Sequence, residues 1–118
     1  MSVIAELFLA DQAYPVGTVV TAGGSKEVTA AGANDNPMGV VCANPQITLN
    51  PGRDNSTPIA LVGACTILIA GPCLQGDNLA VYGAGMAYSV PAGTPCIFAQ
   101  ALESSTATDA NLIQAVLV

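Results

Sequence analysis

The chain has 118 residues, with no histidine and no tryptophan; it has only two basic residues, and charged residues of both signs make up 8% of it. Each shortage removes a class of function. Without histidine, Ser-His-Asp and Cys-His machinery and imidazole-bound metals are excluded. Lys26 and Arg53 stand against eight carboxylates, for a formal charge of −6. That balance cannot neutralise a track of phosphates, so no nucleic acid and no anionic membrane surface is expected as a partner. Aromatics are limited to three Tyr and two Phe, so the core has to be built from Val, Ile, Leu and Ala. Tyr14, Tyr82 and Tyr88 give thin support for a sugar-stacking face and fit interface packing equally well.

Half of the chain, 52%, is hydrophobic. So much apolar content with so few charges is unusual for the surface of a soluble monomer, which points to partners that cover part of the outside. The opening MSVIAELFLA has no basic residue and includes Glu6, unlike a secretory signal. The longest apolar run, Ile59 to Ala70, falls short of the roughly 20 residues that span a bilayer. No membrane segment is read. Cys42, Cys65, Cys73 and Cys96 contain no CxxC pair, and with no histidine they do not suggest zinc. Buried thiols are the plain reading, and three disulfide pairings stay formally open.

The organising stretch is Pro58–Val90. Its apolar run carries β-branched Thr66, Ile67 and Ile69 and an internal Gly63, which favours a strand or bent strand pair buried on both faces, with Gly63 as the bend or bulge, over a helix. GPCLQGD ends it, and Asn78–Tyr82, Gly83-Ala84-Gly85 and Met86–Val90 read as a hairpin. Upstream, residues 2–10 suit a strand or a short helix with no polar face, an arm packing on a neighbour or on the domain's own flank. Thr18–Thr21 and Lys26–Ala30 form a hairpin around Ala22–Ser25. Ala31–Pro37 is a loop, Met38–Cys42 a short strand, Ile47–Asn50 an edge segment and Asn50–Pro58 an exposed polar loop. Downstream, Cys96–Leu102 and Leu112–Val118 are strands separated by a Ser/Thr-rich loop. The reading is an all-β, single-domain, compact β-barrel or β-sandwich of short antiparallel strands. An N-terminal arm takes residues 1–12, and one β-domain takes 13–118. Gly63–Ala70 and Thr94–Ala101 look alike, but their flanks do not continue the match, so no internal repeat is read.

Candidate chemistry is sparse. Asp77 with Glu103 or Asp54 would make a carboxylate pair, but Asp77 sits in a turn where capping is the usual task. Gly83-Ala84-Gly85 lacks the helix that a phosphate-cradling loop needs. Lys26 beside Glu27 reads as an edge charge, and Ser104-Ser105 as a loop of small residues. No catalytic residue, cofactor or metal is assigned, and the chain is not read as an enzyme.

In order along the chain stand AELFLADQAYPVGTVV, MGVVCANPQITLN, PIALVGACTILIAGPCLQGDNLAV, GMA, FAQALE and LIQAVLV. This series resembles a β-rich module of bacteriophage virion proteins, found especially near the C-termini of tail fibres. The resemblance implies a virion structural part, a homotrimer, made in the host bacterial cytoplasm. A compact chain without a shaft looks like a capsid decoration (cement) protein on the outer shell, with the major capsid protein of a phage as partner. A head-fibre base or a tail-fibre or tip component with glycan binding is the alternative. Some such fibres add an autoproteolytic domain, for which this chain has no counterpart, and the four cysteines, read in strand positions, depart from the pattern. The expected contacts with the shell are the arm residues Val3, Ile4, Leu7 and Phe8 and the polar-loop residues Arg53, Asp54 and Asn55.

Overall fold

The computed structural model describes residues 4–24, 26–33, 35–42 and 55–118. Among these the chain forms nine strands and no helix: β1 (Ile4–Ala10), β2 (Val19–Ala22), β3 (Glu27–Ala30), β4 (Gly39–Val41), β5 (Asn55–Ala70), β6 (Asn78–Gly83), β7 (Met86–Val90), β8 (Ala99–Ala101) and β9 (Ala110–Leu117). The all-β class is as expected, and both hairpins form. Strand β5 is one strand, longer than expected at 16 residues, and it organises everything else. It is buried on one face only, not on both, since closure of the strands into rings encloses Ile67 and Ile69 and leaves Val62 half exposed on the other face. Its first half pairs with β1 and β4, its second half with β9 and, in parallel, β7. The change of partner falls at Gly63, whose φ of 100° is open to glycine but strained for any other residue.

Two rings of strands close on β5. The first runs β1-β3-β2-β4-β5 and returns to β1; the second runs β5-β7-β6-β8-β9 and returns to β5. Closure matters because an open sheet edge is a template for unwanted pairing, and a closed ring has none.

The two rings are the same barrel. In each, the first and third strands are parallel and every other pairing is antiparallel. The register matches residue by residue. Ala10 opposite Val28 corresponds to Ile69 opposite Ala87, and Val20 opposite Gly39 to Leu79 opposite Ala99. Val41 opposite Ile59 corresponds to Ala101 opposite Ala115, and Phe8 opposite Thr57 to Ile67 opposite Ile113. The turns repeat as well. Gly17 and Gly76 both have positive φ, and each donates its N–H to a carbonyl, of Val41 and of Ala101 respectively, at 2.8 Å. The chain is therefore a structural repeat of one barrel whose two units share one strand; Gly63–Ala70 and Thr94–Ala101, alike in sequence, fall on non-equivalent strands of it, so their likeness is not this repeat. The likeness of the two barrels is hidden because the same inward positions carry different volumes. Phe8, Ile59 and Gly39 of the first barrel are matched by Ile67, Ala115 and Ala99 of the second, so bulk lost at one position is regained at another.

Inward residues of the first barrel (Phe8, Ala10, Val20, Val28, Val41, Ile59) form one buried cluster, joined by Tyr14. The second cluster fills the other barrel with Ile67, Ile69, Leu79 and Ile113 and also takes in Val19, Ala31, Val40 and Ala60. The β6–β7 turn docks beside these last residues, with Val19 N–H donating to Gly85 O at 2.8 Å and Gly85 N–H to Ala31 O at 2.9 Å. The positions equivalent to Val19 and Val40 in the second barrel are Asn78 and Gln100, and Gln100 is exposed.

Other expectations shift in detail. Residues 4–10, read as part of an arm, are a strand hydrogen-bonded to β3 and β5, so this stretch lies on the domain's own flank. The expected loop Asn50–Pro58 gives way to strand from Asn55 onward, because Thr57 occupies an inward position and is fully buried. Residues 43–54, including the segment Ile47–Asn50, lie outside the described residues. The strand read over Cys96–Leu102 shrinks to Ala99–Ala101, and Cys96 sits in a turn with φ 63°. Of the four cysteines only Cys65 lies in a strand.

Candidate functional site

The groups singled out for chemistry are occupied with holding loops. Asp77 Oδ2 accepts hydrogen bonds from Leu74 N–H at 2.9 Å and Ser89 Oγ–H at 2.7 Å. Those two donors, the backbone one first, hold its carboxyl below the ordinary value of 3.8. Glu103 Oε1 accepts Gln114 N–H at 2.7 Å, Ser104 Oγ accepts Gln75 N–H at 2.8 Å, and Ser105 Oγ–H donates to Asn111 Oδ1 at 2.7 Å. The loop between β8 and β9 is thus tied to Cys73–Gln75 and to β9, with no nucleophile held beside a base. Among the described residues no group of three or more Cys, Asp or Glu is placed to hold a metal, and no helix is long and apolar enough to cross a membrane.

Asp77 offers a test of its capping role. A carboxyl with a lowered folded pKa stabilises the fold above its unfolded value, and that contribution is lost as pH falls through the lowered one. Asp77→Asn should therefore be less stable than the wild type at pH 7, with the gap closing below about pH 3.8. Urea midpoints at pH 7 and pH 2.5 measure it, and an unchanged gap would remove the charge from the explanation.

Three of the four thiols are poor nucleophiles. Burial raises Cys42 and Cys73, and it pushes Cys65 up to about 11, with the nearby Cys42 adding to the effect. All four described cysteines are free thiols. Tyr14 is buried, its hydroxyl donating to Asp11 and accepting Ala30 N–H at 3.1 Å. Tyr82 and Tyr88 are exposed and meet edge to face at 5.6 Å between ring centroids.

Of the residues expected to meet a partner, Val3, Arg53 and Asp54 lie outside the described residues. Ile4, Leu7, Phe8 and Asn55 fall on one ladder between β1 and β5, with Ile4 opposite Val62 and Asn55 opposite Ala10. Phe8 points into the first barrel and is 7% exposed, whereas Leu7 points outward and is 49% exposed. The Lys26 ammonium lies 4.7 Å from the Phe8 ring centroid and 3.5 Å from Glu6. That surface pair contributes at most a few tenths of a kcal/mol.

Sequence reasoning missed the surface that the topology builds around Leu7. Strands β1 and β9 lie one after the other along the same flank of β5, so the three together make one outer wall. From β1 it shows Leu7 and Leu9; from β5, Pro58, Val62, Ala64, Thr66 and Leu68; from β9, Leu112, Gln114 and Val116. None of these is charged. Leu7, Val62 and Leu112 are each about half exposed, and Gln114 Nε2 donates to Thr66 Oγ1 at 2.7 Å across the wall. A concavity of about 310 Å³, lined by Val16, Cys42, Ala64, Cys65, Thr66 and Gln114, opens on it. The alternation of period two was legible for each strand, but the adjacency of β1 and β9 was not.

No protein-family model matches the chain, and no curated protein sequence does. Among solved structures, the head fiber gp8.5 N base of bacteriophage phi29 superposes with a TM-score of 0.72 over 99% of this chain and 95% of that one. The two share a fold. Sequence identity is 17%, so the likeness resides in the arrangement of the strands and extends over both barrels. The matched protein is a phage virion structural protein, the class to which the sequence resemblance pointed.

Proposed function

We propose that this chain is a non-enzymatic structural component of a bacteriophage virion, a homotrimer that seats on the outer face of the assembled capsid and stabilises it as a decoration protein. Its partner is the major capsid protein. The observation that carries the reading is the shared fold with a phage head fiber base over nearly the whole length of both chains. The physical logic agrees: carboxylates and serines are spent on loop anchoring, while a charge-free wall is left for contacts. Binding only to the assembled shell stabilises that shell by mass action.

A second reading, the base of a head fibre, is favoured by the matched structure being such a base. It binds the same particle at fewer sites. Mixing the purified protein with shells assembled without it, then pelleting, distinguishes the two. Saturable binding at some hundreds of copies per particle, with DNA released at a higher temperature, is the expected result. Saturation at a few tens of copies would transfer the assignment to the fibre base, and no binding to shells would overturn both readings.

A further inference from the structure

We infer that Cys42 and Cys65 form a redox latch, a disulfide that closes when the protein meets a disulfide oxidant and that ties the last strand of the first barrel to the second barrel. The sequence leaves the pairing of its four thiols open; the structure separates them by place. Cys42 and Cys65 line one concavity of about 310 Å³, which opens to the surface. Cys73 lines another, with Leu74 and Ser105, and Cys96 a third, with Asp35 and Tyr88. Cys73 Sγ–H donates to Glu103 O at 3.6 Å and Cys96 Sγ–H to Asn36 Oδ1 at 3.4 Å, so each is held at its own site. Of the four, only Cys42 and Cys65 share one of these concavities.

The path of the chain brings the two thiols to one place. Cys42 follows β4 directly and donates its N–H to Pro58 O, in the first half of β5, at 3.1 Å. On the other side, Gly17 donates its N–H to Val41 O and accepts Leu68 N–H, in the second half of β5, at 2.9 Å. Both halves of β5 therefore pass the end of β4, and the strand bends between them at Gly63. Cys65 is the first buried residue after that bend, and Cys42 packs against the buried cluster to which Cys65 belongs. Burial and then the charge of Cys42 push the Cys65 thiol up to about 11, and the second of these causes acts only between neighbouring groups. The Cys42 thiol is tethered by a long contact of 3.5 Å to Pro58 O, weak for an S–H donor and easily given up. Oxidised glutathione supplies the redox partner. The Cys42 thiolate, the less buried of the two, attacks one of its sulfurs and expels a glutathione thiolate. The Cys65 thiolate then attacks the Cys42 sulfur of the mixed disulfide and expels the second. Two protein thiols are oxidised, one glutathione disulfide is reduced, and the two protons pass to the released glutathione. Burial keeps both protein thiols protonated at neutral pH, so closure is slow there and quickens as the pH rises. The bond closes a loop over the 22 residues between the two cysteines and restricts the unfolded chain.

The test uses the folded protein and oxidised glutathione at mildly alkaline pH, in the Cys96→Ser variant so that the one exposed thiol does not react. Intact mass should fall by about 2 Da, the two hydrogens lost on closure. Lys26 and Arg53 are the only basic residues. Trypsin digestion of the oxidised, denatured and alkylated protein without reduction should therefore leave residues 27–53 and 54–118 joined, and a reductant should part them. Adding Cys42→Ser, at a half-buried position, should abolish the link, whereas adding Cys73→Ser should leave it. The oxidised protein should melt roughly 5–15 °C above the reduced one, a gap that Cys42→Ser removes. Fragments that part without a reductant, or a link that survives Cys42→Ser or is lost with Cys73→Ser, would overturn the inference. So would an oxidised protein that melts no higher than the reduced one. Shell binding enters none of these readouts, so their failure would leave the proposed function standing.

Discussion

Gly39→Ala should destabilise the protein by more than about 3 kcal/mol, beyond the usual range for a small surface change. An ideal Cβ at Gly39 falls 2.4 Å from the Ala60 carbonyl oxygen and 2.6 Å from Ile59 Cγ2. The oxygen belongs to the backbone of the shared strand β5 and cannot move without disturbing both barrels. The second barrel shows how the same position takes a methyl group. There Ala99 stands in place of Gly39, and Ala115 in place of Ile59. Combining Gly39→Ala with Ile59→Ala removes one of the two clashes, so the double variant should be less destabilised than the sum of the single variants. Urea denaturation of the four proteins measures the coupling. Stability of Gly39→Ala within about 0.5 kcal/mol of the wild type would contradict the close approach of β4 to β5.

Ile67→Ala is the second large effect. Ile67 is fully enclosed and opposite Ile113, which is 2% exposed, so truncation should cost about 2–5 kcal/mol through lost transfer energy and an incompletely collapsed cavity. The more informative outcome is how the loss is distributed. Since β5 is the fifth strand of one barrel and the first of the other, the two cannot unfold independently. Native-state hydrogen exchange should show the amides of Val28, in the first barrel, and Leu79, in the second, losing the same protection free energy. If Val28 keeps its protection while Leu79 loses it, the barrels are separate folding units and the shared strand does not couple them.

Much of the architecture was legible along the chain. Gly83-Ala84-Gly85 between two alternating runs has one reading, a hairpin, and the structure has it, with β6 opposite β7. The bend at Gly63 was likewise visible as a glycine inside a β-branched run. What the pattern could not show was which strands meet around the ring. Alternation records that Leu7 and Phe8 face opposite ways, but both are apolar, and only closure of the first barrel decides that Phe8 is inside. The polar stretch before Pro58 looked like loop because its composition is that of a loop. Thr57 is nonetheless enclosed as part of strand β5, a case of tertiary context overriding local preference.

The structural repeat was out of reach for a related reason. A sequence comparison scores identity position by position, whereas a core is satisfied by total volume. Barrels built on Phe8 with Ile59 and on Ile67 with Ala115 keep one register without keeping the residues. The candidate wall was hidden because β1 and β9 are distant in sequence and become neighbours only by pairing with successive halves of β5.

By itself the amino-acid sequence determined the all-β class and the lack of histidine-based chemistry. These follow from composition and from a period of two, which are local properties. The tertiary structure alone decided that the strands form two copies of one barrel, that Phe8 is core and Leu7 surface, and that the uncharged residues of three strands share one face. Those depend on register and closure between segments far apart in the chain, where hydrogen bonding is backbone to backbone and leaves little trace in the side chains.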